Sequence, residues 1–424
     1  MSNPAMAAEQ SLVAGKATGR ARVPGPVRRL IGFVLPVYVG VYLVVGAVPS
    51  LLLPLQVEGI DPAHKAANLA IITGVGAFAA MIASPVAGLI SDRTRSRFGR
   101  RAPYLVFGSL ATGLALVGMG FANGVAQLVI AWTIVQLTLN FVISPLTALM
   151  PDRVPSPVRG LFSSLIGVGT MVGIIAGQVA GAAFAKNIQA GYFILPGIML
   201  VVVALFVVFC PDASSRDQVN EPFSLGVFLR TFWVNPRKHP DFFWGFLGRI
   251  LLFTGYFAVT GYQLYVLQDY IGLGSKAAGV VPLLGIVNLL GVVVTMAFAG
   301  PLSDRLGRRK IFVIISSCVM AVAFVIPMVA PTLTGMILFT AISSFGFGAY
   351  MSVDSALMAD VLPSADSYAK DLGVLNIAAT LPQTVGPFLS GAIVVVAGYA
   401  ALFPVGIVLA ILGALAIIPI KSAR

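Results

Sequence analysis

The chain has 424 residues, of which 58% are hydrophobic and only 10% are charged, and its formal net charge is +12. This composition excludes an ordinary water-soluble domain and indicates a protein that uses lipid as its solvent. The charge does not favour a nucleic-acid partner, because the bases lie in short loops between apolar segments, as topology signals do. Two cysteines and no metal-ligand spacing argue against a disulfide framework, a metal site or another cofactor.

Twelve apolar segments follow a polar N-terminal stretch. Residues 1–27 contain Pro, Gly, Ala and scattered bases without an apolar core, which predicts a flexible cytoplasmic tail rather than a cleaved signal sequence. Each later segment is long enough to cross a bilayer as a helix. We predict an all-α membrane protein with 12 transmembrane helices at 30–53, 67–90, 103–122, 125–150, 161–185, 191–210, 242–267, 277–299, 311–330, 333–358, 372–397 and 399–420.

A hairpin motif occurs twice. Residues 88–101 read GLISDRTRSRFGRR and residues 300–310 read GPLSDRLGRRK, so both contain Gly-x-x-x-Asp-Arg and then Gly-Arg-Arg. ALMPD at 148–152 and ALMAD at 356–360 are separated by the same number of residues as the glycines of the two Gly-Arg-Arg sequences. Two unrelated sequence matches with the same separation along the chain, the repeat offset, indicate that one half is a duplicate of the other. The predicted regions are a tail, 1–27; an N-terminal six-helix bundle, 28–210; a cytoplasmic linker, 211–241; and a C-terminal six-helix bundle, 242–424.

The distribution of bases predicts the orientation in the membrane. Apart from Arg249, which lies inside a span, every base except Lys65, Lys186 and Lys276 falls on one side of the predicted spans. Basic loops face the cytoplasm. We therefore expect a multi-pass protein of the plasma membrane with both termini in the cytoplasm.

The six-plus-six arrangement, with the motif between spans 2 and 3 and between spans 8 and 9, resembles the major facilitator superfamily over residues 28–421. SDRTRSRFGRR (91–101) followed by Pro103-Tyr104 resembles the glycoside–pentoside–hexuronide:cation symporters and the sucrose carriers, and NFVISPLTALMPD (140–152) is a looser match to the latter. The resemblance implies two pseudo-symmetric bundles, alternating access and a monomer. Sucrose carriers place a protonatable Asp where this chain has Gln136, so proton coupling by that route is not implied.

The hairpins and neighbouring helix ends are the predicted gate. Asp92 ends a helix before a turn that Gly99 permits, and the arginines are expected in the aqueous layer. The resemblance implies that Asp92 latches onto the N-terminus of span 11. A topology signal alone would explain the arginines but not the repeated Gly and Asp. The candidate gating residues are Gly88, Asp92, Arg93, Gly99, Arg100, Asp152, Arg159, Gly300, Asp304, Arg305, Gly307, Arg308 and Asp360.

Two ionisable residues lie well inside predicted spans. Arg249 lies about 12 Å along span 7 from its basic end, and Asp354 lies about 9 Å from the basic end of span 10. A buried charge in lipid is costly unless paired, which predicts an Arg249–Asp354 pair. Two interpretations stay open: a structural pair that fixes the two helices, or a coupling carboxylate whose proton or cation occupancy alternates with Arg249.

Polar residues recur every seven positions along span 7, where Arg249, Tyr256, Gln263 and Tyr270 are predicted to share one face. Such groups bind the hydroxyls of a sugar, although buried Tyr, Gln and Asn also form ordinary interhelical hydrogen bonds. The candidate substrate-binding residues are Tyr38, Tyr42, Gln136, Asn140, Tyr256, Gln263 and Tyr350.

These features predict a secondary active transporter and not an enzyme, because no phosphate-binding loop and no nucleophile–base set occurs. The expected substrate is a sugar or glycoside taken up with H⁺ or another cation. One alternative is a proton-coupled exporter of amphipathic compounds, and a second is a receptor that no longer transports. The lipid bilayer is the expected environment.

Overall fold

The computed structural model describes residues 25–216, 237, 239–360 and 368–420, and these residues contain helices and no strands. The predicted tail before residue 25 and most of the predicted linker lie outside the described residues. In chain order the main helices are α1 (Gly25–Ala47), α2 (Lys65–Arg93), α3 (Ala102–Gly120), α4 (Val125–Arg153), α5 (Arg159–Ala183), α6 (Ile188–Phe209), α7 (Pro240–Thr260), α8 (Ala277–Leu306), α9 (Arg309–Val329), α10 (Leu333–Asp360), α11 (Tyr368–Ala397) and α12 (Leu402–Ile417).

Eleven helical segments in the described residues are long and apolar enough to cross a membrane. The apolar part of α11, Leu381–Ala397, is a shorter helix. The backbone groups of a spanning segment must be satisfied within the segment, so the apolar runs form helices. These helices confirm the predicted all-α membrane architecture, with eleven helices that meet the length and hydropathy of a span and α11 at the position of the remaining predicted one.

Proline shapes the first span. After α1 the chain forms a π-helical turn, Val48–Leu52, and then a short helix, Leu53–Ile60. Pro49 and Pro54 lack the N–H group that a regular helix uses, so the hydrogen-bond pattern changes where they occur. Gln56 in the short helix donates to the Met119 carbonyl oxygen at 2.7 Å and thereby satisfies a carbonyl at the end of α3.

The chain divides into two compact units. The first comprises the described residues of Met1–Asp61 and Val75–Glu221, and the second those of Pro62–Gly74 and Pro222–Arg424. The first ten residues of α2, 65–74, therefore group with the second unit. Within the first unit α1 packs on α5 and α6, and α3 packs on α4 and α6. Within the second, α7 packs on α11 and α12, and α9 packs on α10 and α12. The same pairs recur six helices later, as expected for a duplicated half.

Small residues bring the helices of each unit close together. On α5 glycines recur every fourth residue along the face that contacts α1. A Cβ at Gly169 would lie 2.8 Å from the Tyr38 Cβ, and one at Gly173 would lie 2.8 Å from the Tyr42 Cβ. A Cβ at Gly177 would overlap the backbone of α1. Glycine at these positions therefore allows direct contact between helix backbones, as in other membrane helix pairs.

The first glycine of each hairpin motif has the same packing role. A Cβ at Gly88 on α2 would lie 3.0 Å from the Ser144 Oγ on α4. A Cβ at Gly300 on α8 would lie 2.7 Å from the Ser352 Oγ on α10. The two serines are also separated by the repeat offset. Each motif glycine thus lets its helix approach the second helix after it in the same unit.

The second glycine of each motif forms a left-handed turn. Gly99 has φ +84° and Gly307 has φ +61°, a region in which glycine avoids the steric cost of a Cβ. Gly307 ends α8, and its N–H donates to the Ser303 carbonyl oxygen at 2.9 Å. A Cβ at Gly99 would overlap the Asp212 side chain, whereas a Cβ at Gly307 would meet no atom within 4 Å. Gly99 is therefore constrained both by its backbone conformation and by its neighbour.

We expect Gly99→Ala to destabilise the protein more than Gly307→Ala. Both substitutions cost about 1–2 kcal/mol for a left-handed residue with a Cβ. Gly99→Ala must also displace Asp212, whereas Gly307→Ala serves as the matched control with open space. Thermal unfolding of the purified variants in one detergent measures the difference. Equal melting temperatures would contradict the close packing of Gly99 against Asp212.

Candidate functional site

Arg101 lies at the centre of a charged cluster at the basic end of the first unit. The residue is 4% exposed and occupies the N-cap position of α3. Its Nε and Nη2 lie 2.9 Å from one Asp152 oxygen, and its Nη1 donates to the Ser91 Oγ at 2.8 Å. Its Nη2 also pairs with Asp92, and the Arg100 Nη2 lies 2.6 Å from the second Asp152 oxygen. One guanidinium therefore connects the ends of α2, α3 and α4.

The segment after α6 attaches to the first hairpin. The Arg101 N–H donates to the Asp212 carboxylate at 3.2 Å. Ser215, 1% exposed, donates its hydroxyl to the Thr94 carbonyl oxygen at 2.9 Å. Ser215 also exchanges two hydrogen bonds of 3.0 Å with the Ser96 backbone. The beginning of the predicted linker is thus part of the first unit.

The sequence predictions for this cluster differ from the structure in three respects. The expectation that Arg101 stays in the aqueous layer was wrong, because three neighbouring side chains replace its water. Arg159 does not join Asp152; its Nε donates to the Val154 carbonyl oxygen at 2.9 Å. Asp212 and Ser215 were missed. The available signal was a short Asp-x-x-Ser segment directly after span 6, with two adjacent arginines elsewhere that needed acceptors.

The second hairpin differs from the first in its arginines. Arg305 and Arg308 are exposed, and no described carboxylate lies within ion-pair distance of either. The predicted gating side chains of Asp304 and Asp360 lie outside the described part of the structure. In the first hairpin Arg93 is half-buried.

Arg249 on α7 and Asp354 on α10 form the ion pair that the sequence suggested, inside the second unit. The Arg249 Nε lies 3.4 Å from the Asp354 Oδ2, and their side chains are 11% and 1% exposed. Neither Asp354 oxygen nor the Arg249 Nε has a hydrogen-bond partner among the described groups. The charges are therefore paired, but the carboxylate keeps acceptor positions that no described donor occupies.

An aromatic cluster lies beside this pair. The Arg249 guanidinium lies 5.5 Å from the Phe253 ring centroid, and the Phe253 ring lies 5.7 Å from that of Tyr350. Tyr256 stacks on Phe347 with centroids 4.3 Å apart and an interplanar angle of 10°. Rings at these distances stabilise one another, and the Phe253 ring attracts the Arg249 guanidinium. Candidate residues Tyr256 and Tyr350 thus lie in the same unit as the ion pair.

Hydroxyl groups of the cluster differ in their hydrogen bonding. The Tyr256 hydroxyl accepts from the Asn288 amide on α8 at 2.7 Å. The Tyr350 hydroxyl is buried and has no hydrogen-bond partner among the described groups. Asn288 was missed by sequence reasoning, because a lone Asn in a span gives no pattern. Tyr350 lies one helical turn before Asp354, and its hydroxyl faces the Asp354 carboxylate without meeting hydrogen-bond geometry.

Span 7 is not the single continuous helix that the predicted polar stripe assumed. Helix α7 ends at Thr260, and Gly261 and Tyr262 form a turn before the short helix Gln263–Tyr265. The Tyr262 hydroxyl donates to the Ala66 carbonyl oxygen at 2.7 Å and fixes this turn. The seven-residue spacing consequently does not by itself place Gln263 and Tyr270 on the face of α7.

Four candidate substrate residues lie in the first unit. Tyr38 and Tyr42 are one turn apart on α1, and their rings stack with centroids 5.9 Å apart. The Tyr38 hydroxyl is buried without a described hydrogen-bond partner. On α4 the Asn140 amide donates to the Gln136 carbonyl oxygen at 2.8 Å. The predicted substrate set therefore falls into two groups, one in each unit.

The end of the second unit opposite to the basic hairpin contains a further ion pair. The Lys65 Nζ lies 3.0 Å from both oxygens of Asp269, and it lies 4.8 Å from the Tyr265 ring centroid. The first turns of α2 also pack tightly on α11, because a Cβ at Gly391 would overlap the Ala70 side chain. The first turns of α2 are thereby attached to the segment after α7 and to α11.

Comparison with known proteins gives consistent matches. A family model of the Major Facilitator Superfamily matches residues 30–295 and 278–423. Multidrug resistance protein 2 of Bacillus subtilis is 22% identical over 368 residues, which is 85% of this chain and 87% of that protein. Sucrose transport protein SUT1 of Oryza sativa is 24% identical over 192 residues, 35% of this chain and 36% of that protein. Inner membrane symporter YicJ of Escherichia coli is 24% identical over 258 residues, which is 54% of this chain and 52% of that protein.

This chain spans about half the length, or less, of the sucrose protein and the symporter. Among solved structures, the nucleoside transporter NupG covers 92% of this chain with a TM-score of 0.72 and 13% identity, and the match includes 98% of that chain. At this identity the likeness shows the fold alone. The helical fold and the match of the family model to nearly all of the sequence agree: the chain belongs to the Major Facilitator Superfamily and is a membrane transporter, not an enzyme.

Proposed function

We propose that this transporter is a symporter that takes up a sugar or glycoside with a proton or another cation by alternating access. The observation that carries the proposal is the Asp354 carboxylate, which is buried beside Arg249 while neither of its oxygens accepts a described hydrogen bond. A structural ion pair gains most when hydrogen bonds satisfy its remaining lone pairs. A carboxylate without them is suited to taking up a proton or a cation.

The groups around this pair support a polyol substrate. Tyr350 offers a buried hydroxyl, and Tyr256 with Asn288 offers a hydroxyl and an amide beside stacked aromatic rings. Sugars bind through such polar groups together with an aromatic surface. The similarity to the sucrose transport protein and to the symporter supports the same class. We propose Tyr38, Tyr42, Gln136 and Asn140, all in the first unit, as further substrate-binding residues.

A proton-coupled exporter of amphipathic compounds is the second candidate. The multidrug resistance protein matches this chain over most of both lengths, and the neighbouring rings of Phe253 and Phe347 would suit an apolar ring system. The same ion pair would then couple proton entry to drug export, rather than proton entry to sugar uptake. The direction of coupled flux distinguishes the two candidates.

We place the basic ends of the helices in the cytoplasm, because Lys and Arg accumulate on that side of membrane proteins. The protein then lies in the plasma membrane with both termini cytoplasmic and acts as a monomer. The Arg101 cluster is the cytoplasmic gate. Asp92, whose side chain is 55% exposed, is the member that exchanges partners during the cycle. Lys65 and Asp269 lie at the opposite, outer face.

Transport in vesicles tests the proposed function. With purified protein reconstituted and an inward proton gradient imposed, we expect a radiolabelled glycoside to accumulate inside above its external concentration. A thermal-shift screen of sugars and hydrophobic drugs selects the compound beforehand. Accumulation of a drug driven by proton exchange in the opposite direction would favour the exporter. Binding without flux of either class would contradict both.

We expect Asp354→Asn to abolish gradient-driven accumulation and to retain exchange of substrate down its own gradient. Asparagine resembles a permanently protonated carboxyl group, so a protein whose Asp354 is protonated in each cycle tolerates it. If the pair were structural, the substitution would leave Arg249 unpaired at a cost of about 3–5 kcal/mol, and the variant would fail to fold. Asp269→Asn, which removes a carboxylate at the outer face, is the control that should keep coupling.

We expect Asp92→Asn to reduce the transport rate while folding and membrane insertion remain intact. Its half-exposed ion pair contributes little stability, and Arg101 keeps Asp152. Loss of a latch of about 1 kcal/mol would change the population of the closed state about fivefold. Arg97→Gln, which removes an exposed charge from the same hairpin, should leave the rate unchanged. Wild-type transport by Asp92→Asn would disprove the latch.

A further inference from the structure

A groove lies on the membrane-facing side of the second unit, between α8, α9 and α10. Its volume is about 320 Å³, within the range of about 300–1,000 Å³ for small-molecule sites. The side chains that define it are almost entirely apolar: Phe298, Leu302, Phe312, Ile315, Phe345 and Ala349. Phe298 is 70% exposed and Phe345 is 45% exposed. This concave apolar surface therefore faces the lipid.

Local packing explains why the groove is both concave and apolar. Gly346 forms part of the lining, and a Cβ there would lie 2.6 Å from the Met320 Cγ, so α10 approaches α9 closely. The two lining hydroxyls are satisfied within their own helices. Thr295 donates to the Gly291 carbonyl oxygen at 2.7 Å, and Ser316 donates to that of Phe312 at 2.6 Å. Neither hydroxyl is left without a partner for a polar ligand to satisfy.

The groove occupies the half of the membrane next to the basic helix ends. Leu302 lies four residues before the end of α8, about 6 Å along the helix, and Thr295 lies about 17 Å from that end. On α9, Phe312 is three residues after the start and Val319 is ten, about 5 Å and 15 Å. One leaflet of the hydrocarbon core is about 15 Å thick. The depth of the groove therefore matches the acyl chain of one leaflet.

Two of the three helices that line the groove, α8 and α9, have exposed arginines at their basic ends. On α8, Phe298, Leu302 and Arg305 follow one another at helical spacings of four and three residues, so they share a face. On α9, Arg308 is the N-cap residue and precedes Phe312 by four residues. Both arginines are exposed, and no described carboxylate lies within ion-pair distance of them. An apolar groove therefore leads to two positive charges at the level of the lipid headgroups.

We infer that this groove binds an anionic phospholipid, with one acyl chain between α8, α9 and α10 and the phosphate at Arg305 and Arg308. Bases at the membrane surface attract anionic lipids, whereas a neutral phospholipid would gain only the apolar contacts. Charge complementarity at the mouth of the groove thus selects the headgroup, and the groove shape selects a single chain. The site is separate from the Arg249–Asp354 pair and requires no transport step.

Fluorescence quenching tests the site. Phe298→Trp places a reporter in the groove, and Phe107→Trp, at an exposed aromatic on α3, is the matched control reporter. Each protein is reconstituted in phosphatidylcholine with the same small fraction of brominated phosphatidylglycerol or brominated phosphatidylcholine. We expect brominated phosphatidylglycerol to quench the groove reporter more strongly than brominated phosphatidylcholine does. The fluorescence of the native tryptophans is subtracted first. The control reporter should show no preference.

Charge removal completes the test. In the Phe298→Trp background, Arg305→Gln with Arg308→Gln should lower the preference for the anionic lipid by about fivefold for each arginine. Arg95→Gln with Arg97→Gln removes two exposed arginines from the other hairpin and should leave the preference unchanged. Native mass spectrometry of the otherwise unmodified protein should count less bound phosphatidylglycerol only in the Arg305/Arg308 variant. Equal quenching by the two lipids, or an unchanged lipid count, would overturn the inference.

Discussion

An ionised side chain inside a bilayer is stable only when a counter-charge or hydrogen-bond donors replace the water that it has lost. Arg249 and Asp354 satisfy half of this requirement: their charges are 3.4 Å apart, but the carboxylate accepts no hydrogen bond from the described groups. The pair requires α7 and α10 to keep a fixed relation within the second unit. Its unsatisfied acceptors leave free energy to be gained by a proton, a cation or a substrate hydroxyl.

Close helix packing supplies the rigidity that such a pair needs. Without a hydrophobic driving force between helices in lipid, contact depends on van der Waals packing, and small residues permit it. In the second unit Gly300 and Gly348 bring α8 against α10, the helix that carries Asp354. In the first unit Gly173 and Gly177 bring α5 against α1. In each unit, glycines therefore allow the helices to pack closely, and this packing makes the unit rigid.

Periodic features were predictable from the sequence, and local ones were not. Length, hydropathy and the repeated Gly-x-x-x-Asp-Arg motif predict twelve helices and a duplicated half, because these signals extend over many residues. The depths of Arg249 and Asp354 predict their pairing. The end of α7 at Thr260 depends instead on a turn fixed by Tyr262 and a carbonyl almost two hundred positions away. The burial of Arg101 likewise depends on acceptors from separate helices, which no local pattern reveals.

The two hairpins show how duplication can separate tasks. The first copy is longer, and its extra residues allow the Thr94–Arg101 loop to meet Asp212 and Ser215 after α6. Arg100 and Arg101 consequently lie against Asp152, while Arg95 and Arg97 stay exposed. The shorter second copy ends α8 directly at Gly307. Arg305 and Arg308 then remain exposed beside an apolar groove. The same motif therefore brings two arginines into a charged cluster in the first half, whereas Arg305 and Arg308 of the second half stay exposed.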